Sequence, residues 1–519
     1  MRKFATVIRA FDDSLEKHPD RTAIHVLERM SGAAALSYAE LDRAARCVAN
    51  GLKERNVRAG DRVVIAIPTS AEFFAVYLGA LFSGVIPIIA PARTTQFDAV
   101  LQATGAGLVV AAAEARELCG SAESPRPDFT ARESDVAHLQ ATSGTTGTPK
   151  YAVIRHGNIA ANVEGIGLAI QHRDGDSLVT WLPFFHDMGL IGISYSLYWQ
   201  CPLIATDAAN FVHNPITWLQ MISRFGGTLS PAPNSAYQAC ARLAKRRTFE
   251  DLDLSSWRVA LCGAEPVHEE TIRRFTEAFE RYGWRATAML PVYGLAEATL
   301  AATIPDPNAL PHIDRLDGEL SMNMVSVGPA IPGHQVRIVD GEGSPLRERE
   351  IGEVELAGPS VIDEYWDNPQ ETRSLKRADG FLRTGDLGYL AGGELYITGR
   401  QKDIIIINGR NLVPAQIEAA MEQVFNDDIA GIVACGVQDA QTNSESLHLI
   451  IESRILPHPD RAVAEEKLRG GLESMFGLGG ATIHWVKKGE IPKTSSGKVQ
   501  RHRCRELTMG GRHEYQQAQ

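Results

Sequence analysis

No two cysteines in this chain stand close enough to form a CxxC pair. The seven, Cys47, Cys119, Cys201, Cys240, Cys262, Cys435 and Cys504, are scattered over 519 residues. That spacing fits neither a zinc ribbon nor a disulfide framework, and a reducing compartment is the simplest setting. Positive charge is in deficit, with 52 Lys+Arg against 63 Asp+Glu and a formal net charge of −11. The balance argues against a nucleic-acid partner or attachment to an anionic membrane through overall charge. The first residues, MRKFATVIRAFDDS, read as a poor secretory leader, because they reach Asp12 and Asp13 before any long apolar run. The stretch from Phe73 to Pro91 carries no charge, yet Gly79, Ser83-Gly84 and Pro87 divide it into a helix, a turn and a buried strand. Integral membrane association is therefore not expected, and a cytoplasmic enzyme is. A short internal repeat, a GxSxG nucleophile elbow and a GxxxxGK[ST] phosphate loop are all missing.

What remains is an ordinary globular composition, 44% apolar and 22% charged. At roughly 100–200 residues per unit the length predicts about three or four units. From about residue 60 to 300, β-branched runs alternate with helix-length amphipathic segments. RVVIAIP, SAEFFAVYLGALFSG and VIPIIAP set the pattern, and WRVALCG, EETIRRFTEAFERYG and TAMLPVYG repeat it. This predicts an α/β architecture with crossover units, mostly parallel sheets and ligands at the carboxyl ends of the strands. After Leu300, HQVRIVD, IGEVELAG, GFLRTGDLGYL and GELYITGR predict a β-rich subdomain. Past Gly399 a smaller α+β alternation follows, with Pro414 near the first turn of a helix and another helix from about Asp460 to Met475. The expected division is a large N-terminal domain at 1–399, a hinge at 400–402 and a small mobile C-terminal domain at 403–519.

Five segments carry chemistry. Thr142-Ser143-Gly144-Thr145-Thr146-Gly147-Thr148-Pro149-Lys150 combines small residues, hydroxyls and a cation, a composition that lets backbone amides converge on a phosphate. Alone it is equally consistent with a polar surface loop. Trp181-Leu-Pro-Phe-Phe-His186-Asp187-Met-Gly189 ends a strand with a His-Asp pair, a pairing that is more often structural. Gly263-Ala264-Glu265-Pro266 and Tyr293-Gly294-Leu-Ala-Glu297-Ala-Thr299 each follow an apolar strand. They offer a ring for stacking and a carboxylate suited to Mg²⁺. Arg383-Thr-Gly-Asp386 and Gly399-Arg400-Gln-Lys402-Asp403 offer a ribose acceptor and donor. Pro492-Lys-Thr-Ser-Ser-Gly-Lys498 is a basic loop that, taken alone, reads as a solvated tail.

In this order the motifs resemble the adenylate-forming superfamily of acyl-CoA synthetases, adenylation domains and luciferases, over about residues 10 to 510. Within it WLPFFHDMGLIG, APNSAY with DLSSWRVALCGAEPV, YGLAEATL and TGRQKDIIIINGRNLVPAQIE are most similar to fatty acyl-AMP ligases. The resemblance implies that ATP and a carboxylic, normally fatty, acid yield an acyl-adenylate and pyrophosphate. The acyl group then passes to the phosphopantetheine thiol of an acyl carrier protein. It further implies that Thr142 to Lys150 hold the β- and γ-phosphates and that Glu297 holds Mg²⁺. Gly263, Ala264, Glu265, Tyr293 and Gly294 would frame the adenine, and Asp386 and Arg400 the ribose. His186 would orient the carboxylate or pyrophosphate, Lys498 would bridge the carboxylate and the α-phosphate, and Lys402 would be the pivot.

The chain departs from the subgroup at Tyr151-Ala152, Ser235, Glu364 and Leu412-Val413. Ser235 falls in a region expected to border the acyl tunnel. Ala301 to Met324, in the place of the insertion that disfavours CoA, reads as a modest ordered loop. The competing readings are an acyl-CoA synthetase, an amino-acid adenylation domain and a catalytically dead nucleotide sensor. Because the chain ends shortly after Lys498, the carrier protein is expected on a separate chain. Since carrier proteins are commonly acidic, a local basic patch would be needed on this acidic enzyme, and the arginines of RHRCRE are one place to look for it.

Overall fold

The computed structural model describes residues 2–29, 32–92, 94, 97–122, 125–142, 150–316, 322–407, 410–424, 429–438, 445–453, 461–493 and 499–510. Its central feature is a seven-stranded sheet. In spatial order the strands are Met289–Pro291, Val259–Gly263, Leu229–Pro233, Leu178–Thr180, Leu203–Thr206, Thr22–Arg29 and Gly32–Ser37. Every neighbouring pair is parallel except the last, a hairpin at the edge. Continuous apolar strands such as Val259-Ala-Leu-Cys-Gly263 suit this arrangement, because helices cover both faces of a parallel sheet. The central strands of Leu229–Pro233 and Val259–Gly263 are almost wholly buried.

A second, three-stranded parallel sheet pairs Ile86–Ile89, Arg62–Ile65 and Leu108–Val110. The helix Ala71–Phe82 packs beside it with every residue from Phe73 to Phe82 buried. Its start is marked by Ser70, whose hydroxyl accepts from the Phe73 amide. The uncharged stretch is thus a core helix, a turn and a buried strand, as its glycines and proline predict. Among the described residues no helix is long and apolar enough to cross a membrane. All seven cysteines are free thiols.

The β-rich segment is a four-stranded antiparallel sheet of Gln335–Val339, Gly352–Ala357, Leu382–Ala391 and Glu394–Arg400. Residues 301–325 depart from the expected loop. They contain the strand Ala301–Thr303 and an antiparallel pair, Ile313–Leu316 with Met322–Val325, whose connecting residues lie outside the described set.

Beyond the turn Gln401–Asp403, the three strands Ile429–Gln438, Glu445–Ser453 and Ala481–Lys487 form a sheet. Ile405, Ile417, Leu449, Leu468 and Leu472 belong to an apolar cluster built wholly from residues after Asp403. Leu412, one of the departures noted above, is buried in that cluster. Val413 packs against Gly399, where an added Cβ would stand 2.7 Å from its methyl carbon.

Candidate active site

Three of the functional segments converge because each leaves the carboxyl end of a strand in the large sheet, where crossover connections leave backbone groups for a ligand. Strand Val259–Gly263 opens into Ala264, and strand Met289–Pro291 into Tyr293-Gly294. Strand Leu178–Thr180 leads through Trp181–His186 to the helix Asp187–Trp199. Close approach forces the small residues. A Cβ on Gly294 would lie 1.9 Å from the Leu300 carbonyl oxygen, and one on Gly263 would lie 2.8 Å from that of Val292. Ala264 takes a positive φ of 65°.

Asp386 and Arg400 face each other across adjacent strands. Arg400 Nε donates to Asp386 Oδ1 at 2.8 Å, and the Tyr293 hydroxyl donates to Oδ2 at 2.6 Å. The Tyr293 phenol is pushed well above its ordinary range, first by desolvation and then by the Asp386 charge. The structure therefore joins the adenine and ribose candidates into one cluster. Glu265 stands slightly apart, since its carboxylate accepts from the backbone N–H of Ser235.

Thr142 and Lys150 are directly paired across an antiparallel ladder, so the phosphate-loop candidates Ser143, Gly144, Thr145, Thr146 and Gly147 lie on its connection. Those five fall outside the described residues, as does Lys498. Gln140 at the end of the first of these strands donates to the Phe185 carbonyl at 3.1 Å, tying the loop to the His186 segment. His186 sits at the N-cap of the helix Asp187–Trp199, with Nδ1 3.7 Å from Asp187 Oδ1. Lys402 is exposed on the turn after Arg400.

Glu297 lies on a single turn held from below. Its carbonyl accepts from the Ile362 amide at 2.9 Å, and Oε1 accepts from the Tyr365 hydroxyl at 2.8 Å. Thr299 takes φ 70°, a conformation costly for a β-branched residue, and its hydroxyl donates to the Ser360 carbonyl at 2.6 Å. Fully buried Asn162 donates to the carbonyls of Ala301 at 2.8 Å and Ala298 at 3.2 Å, and its Oδ1 accepts from the Ala301 amide. Asn162→Ala orphans these buried groups. It is expected to lower unfolding free energy by about 2–4 kcal/mol, read from the denaturant midpoint. Nothing in the local pattern around Asn162 marks this role, because its partners are more than 130 residues away.

The motifs also border an apolar cavity. Asp187, Ala264, Tyr293 and Gly294 of the motifs line it together with Ile170, Leu178, Tyr195 and Leu229. Leu178 and Leu229 begin their strands in register with Val259, five residues before Ala264. Tyr195 shares a 2.9 Å hydrogen bond with His172 Nδ1, which pins the ring. Ser235 itself is exposed and not among the residues lining this cavity, although Pro231 on the strand just before it is.

The AMP-binding enzyme profile matches residues 11–366, well over half the chain. The chain belongs to the AMP-binding enzyme family. A medium-chain-fatty-acid–[acyl-carrier-protein] ligase of Moorena producens is 33% identical over 91% of this chain and 89% of its own. A long-chain-fatty-acid–AMP ligase of Mycobacterium marinum is 31% identical over 95% of each. The structure described for fatty acyl-adenylate ligases from E. coli and L. pneumophila superposes with a TM-score of 0.87 at 30% identity, covering 98% of both chains. This AMP-binding enzyme is an adenylate-forming ligase, and its nucleotide substrate is ATP.

Proposed function

We propose that this enzyme is a fatty acyl-AMP ligase for medium-chain acids that delivers the acyl group to a carrier protein on a separate chain. The cavity supports the acid. Its lining runs about 12 Å along the helix from Asp187 to Tyr195, at 1.5 Å per residue, and about 17 Å along the strands to Ala264, at roughly 3.3 Å per residue. An extended chain advances about 1.2 Å per bond, so an acid that spans this lining from end to end has roughly ten to fourteen carbons. The apolar wall stabilises such a chain by about 0.8 kcal/mol for each buried methylene.

The carboxylate then lies at the mouth, before the N-terminus of the helix Asp187–Trp199 and beside His186. The positive end of a 13-residue helix favours an anion there. Tyr293 and Ala264 frame the base. Asp386, already oriented by Arg400, accepts the ribose hydroxyls. Thr142 to Lys150 hold the β- and γ-phosphates, and Lys498 offsets the repulsion as a carboxylate oxygen attacks the α-phosphorus and pyrophosphate departs.

Glu297 fits Mg²⁺ by its chemistry. It is a hard oxygen donor held by the Tyr365 hydroxyl. Among the described residues no cluster of three or more candidate ligands exists. A single carboxylate shared with substrate phosphates is the arrangement Mg²⁺ favours. When bound, the ion neutralises phosphate charge.

The separate core beyond Asp403 supports a domain that turns about Lys402, exchanging Lys498 for the carrier thiol. The relatives' names favour a carrier protein over CoA as acceptor. The test is a mass-spectrometric screen for acyl-adenylates over acids of graded length, followed by competition between CoA and a holo-carrier protein. The strongest adenylate is expected at ten to fourteen carbons, with thioester on the carrier. Ready thioester formation on free CoA refutes the acceptor, and a peak at acetate or an amino acid refutes the acid.

A further inference from the structure

Lys150, the cation at the end of the phosphate loop, is already engaged. Its Nζ donates to Glu371 Oε2 at 2.5 Å and stands 5.3 Å from the centre of the Tyr365 ring. The Tyr365 hydroxyl in turn donates to Glu297. The proposed phosphate cation and metal carboxylate therefore share a cluster with two residues that the motif pattern does not single out.

Glu371 is not a wandering surface carboxylate. It lies in the first turn of the helix Pro369–Leu375, and Asn368 Oδ1 accepts from its amide at 3.2 Å. The Thr372 hydroxyl accepts from the Tyr365 amide at 3.0 Å. The segment leading into this helix is stitched to the strand that Lys150 begins. The Trp366 amide donates to the Tyr151 carbonyl at 2.8 Å, the Val153 amide to the Glu364 carbonyl at 3.2 Å, and Arg155 pairs with Glu364 at 2.6 Å. Two departures from the subgroup pattern, Tyr151 and Glu364, are thus parts of one seam that presents Glu371 to Lys150.

A partly buried ammonium needs a counter-charge, and a phosphate reaching Lys150 has to displace this one. We propose that Glu371 is a built-in competitor of pyrophosphate, which holds Lys150 while the phosphate site is empty and reclaims it as the product leaves. The inference rests on the phosphate-site reading above and adds a residue that sets product affinity. Glu371 is a positioning residue acting through Lys150. An internal ligand that leaves Lys150 available only a fraction of the time weakens apparent phosphate affinity by that fraction.

The test measures pyrophosphate binding to the purified full chain by calorimetry in magnesium buffer. Glu371→Gln should tighten binding roughly five- to tenfold, and Glu371→Asp by less. Glu364→Gln removes a nearby carboxylate paired with Arg155 and should change binding by less than about twofold. Unchanged or weaker binding by Glu371→Gln overturns the proposal, as does equal tightening by Glu364→Gln, which would mark a general charge effect. If the unaltered chain binds no pyrophosphate, the phosphate-site reading itself falls, an outcome distinct from the other two.

Discussion

Lys498→Ala is expected to slow adenylation by about 10²–10³-fold, the cost typical of losing one preorganised transition-state donor. The melting temperature should not move. Residues on both sides of Lys498 explain why the lysine can be removed without loosening the fold. Lys493 and Val499 pair across the loop base, and the Gln500 amide donates to the Pro492 carbonyl at 2.9 Å. Arg501, opening the next helix, pairs with Glu418 at 2.9 Å and lies 3.6 Å from Asp403 beside the proposed pivot. The residues flanking the loop are thus tied to the turn that is proposed to rotate. Pyrophosphate release reads the loss of rate. Thioester formation from supplied acyl-adenylate should persist, because the proposed rotation withdraws the lysine from that half-reaction. Equal loss of both half-reactions would show that Lys498 supports structure instead of adenylation.

The second large effect is on chain length. Gly192 lies on the cavity wall, and a Cβ built there would meet only a Leu178 methyl carbon at 3.4 Å. Other glycines of the same region have no such room, since a Cβ on Gly189 would stand 2.3 Å from the Pro183 carbonyl oxygen. Gly192→Leu should therefore fold, with a gain of up to about 1 kcal/mol from replacing a helix-interior glycine. Its side chain would fill the lumen midway between the mouth and Tyr195. With acids of about twelve carbons kcat/KM should fall roughly 10²-fold, as expected when several methylenes lose their place, while short acids change little. Chain-length profiles of the two proteins check this. A parallel drop at every length would mean that Gly192 serves the helix and not the acid.

Much of the fold was legible before any coordinates. Alternating β-branched and amphipathic segments implied parallel crossovers. Gly79, Ser83-Gly84 and Pro87 turned a membrane-like stretch into a core helix and strand. The adenine and ribose candidates were legible because the glycines of GAE and YG and the carboxylate of TGD are chemically constrained within a few residues. Asn162, Tyr365 and Glu371 were not, since each acts on a partner 68 or more residues away. The surroundings of Ser235 were not legible either, since a position close in sequence to a cavity-lining strand need not face the cavity. Here its amide turns to Glu265 instead.

The order of the motifs by itself determined the chemistry: adenylation of a carboxylic acid with ATP. Local residue types suffice for that, because turn glycines and charged groups carry their roles wherever the chain takes them. Only the tertiary structure decided which side chains line the apolar cavity beside the motifs, that Tyr195 is among them, and that Lys150 is held by a carboxylate. Those properties depend on strand register and on which distant side chains pack together, and neither is written in any single segment.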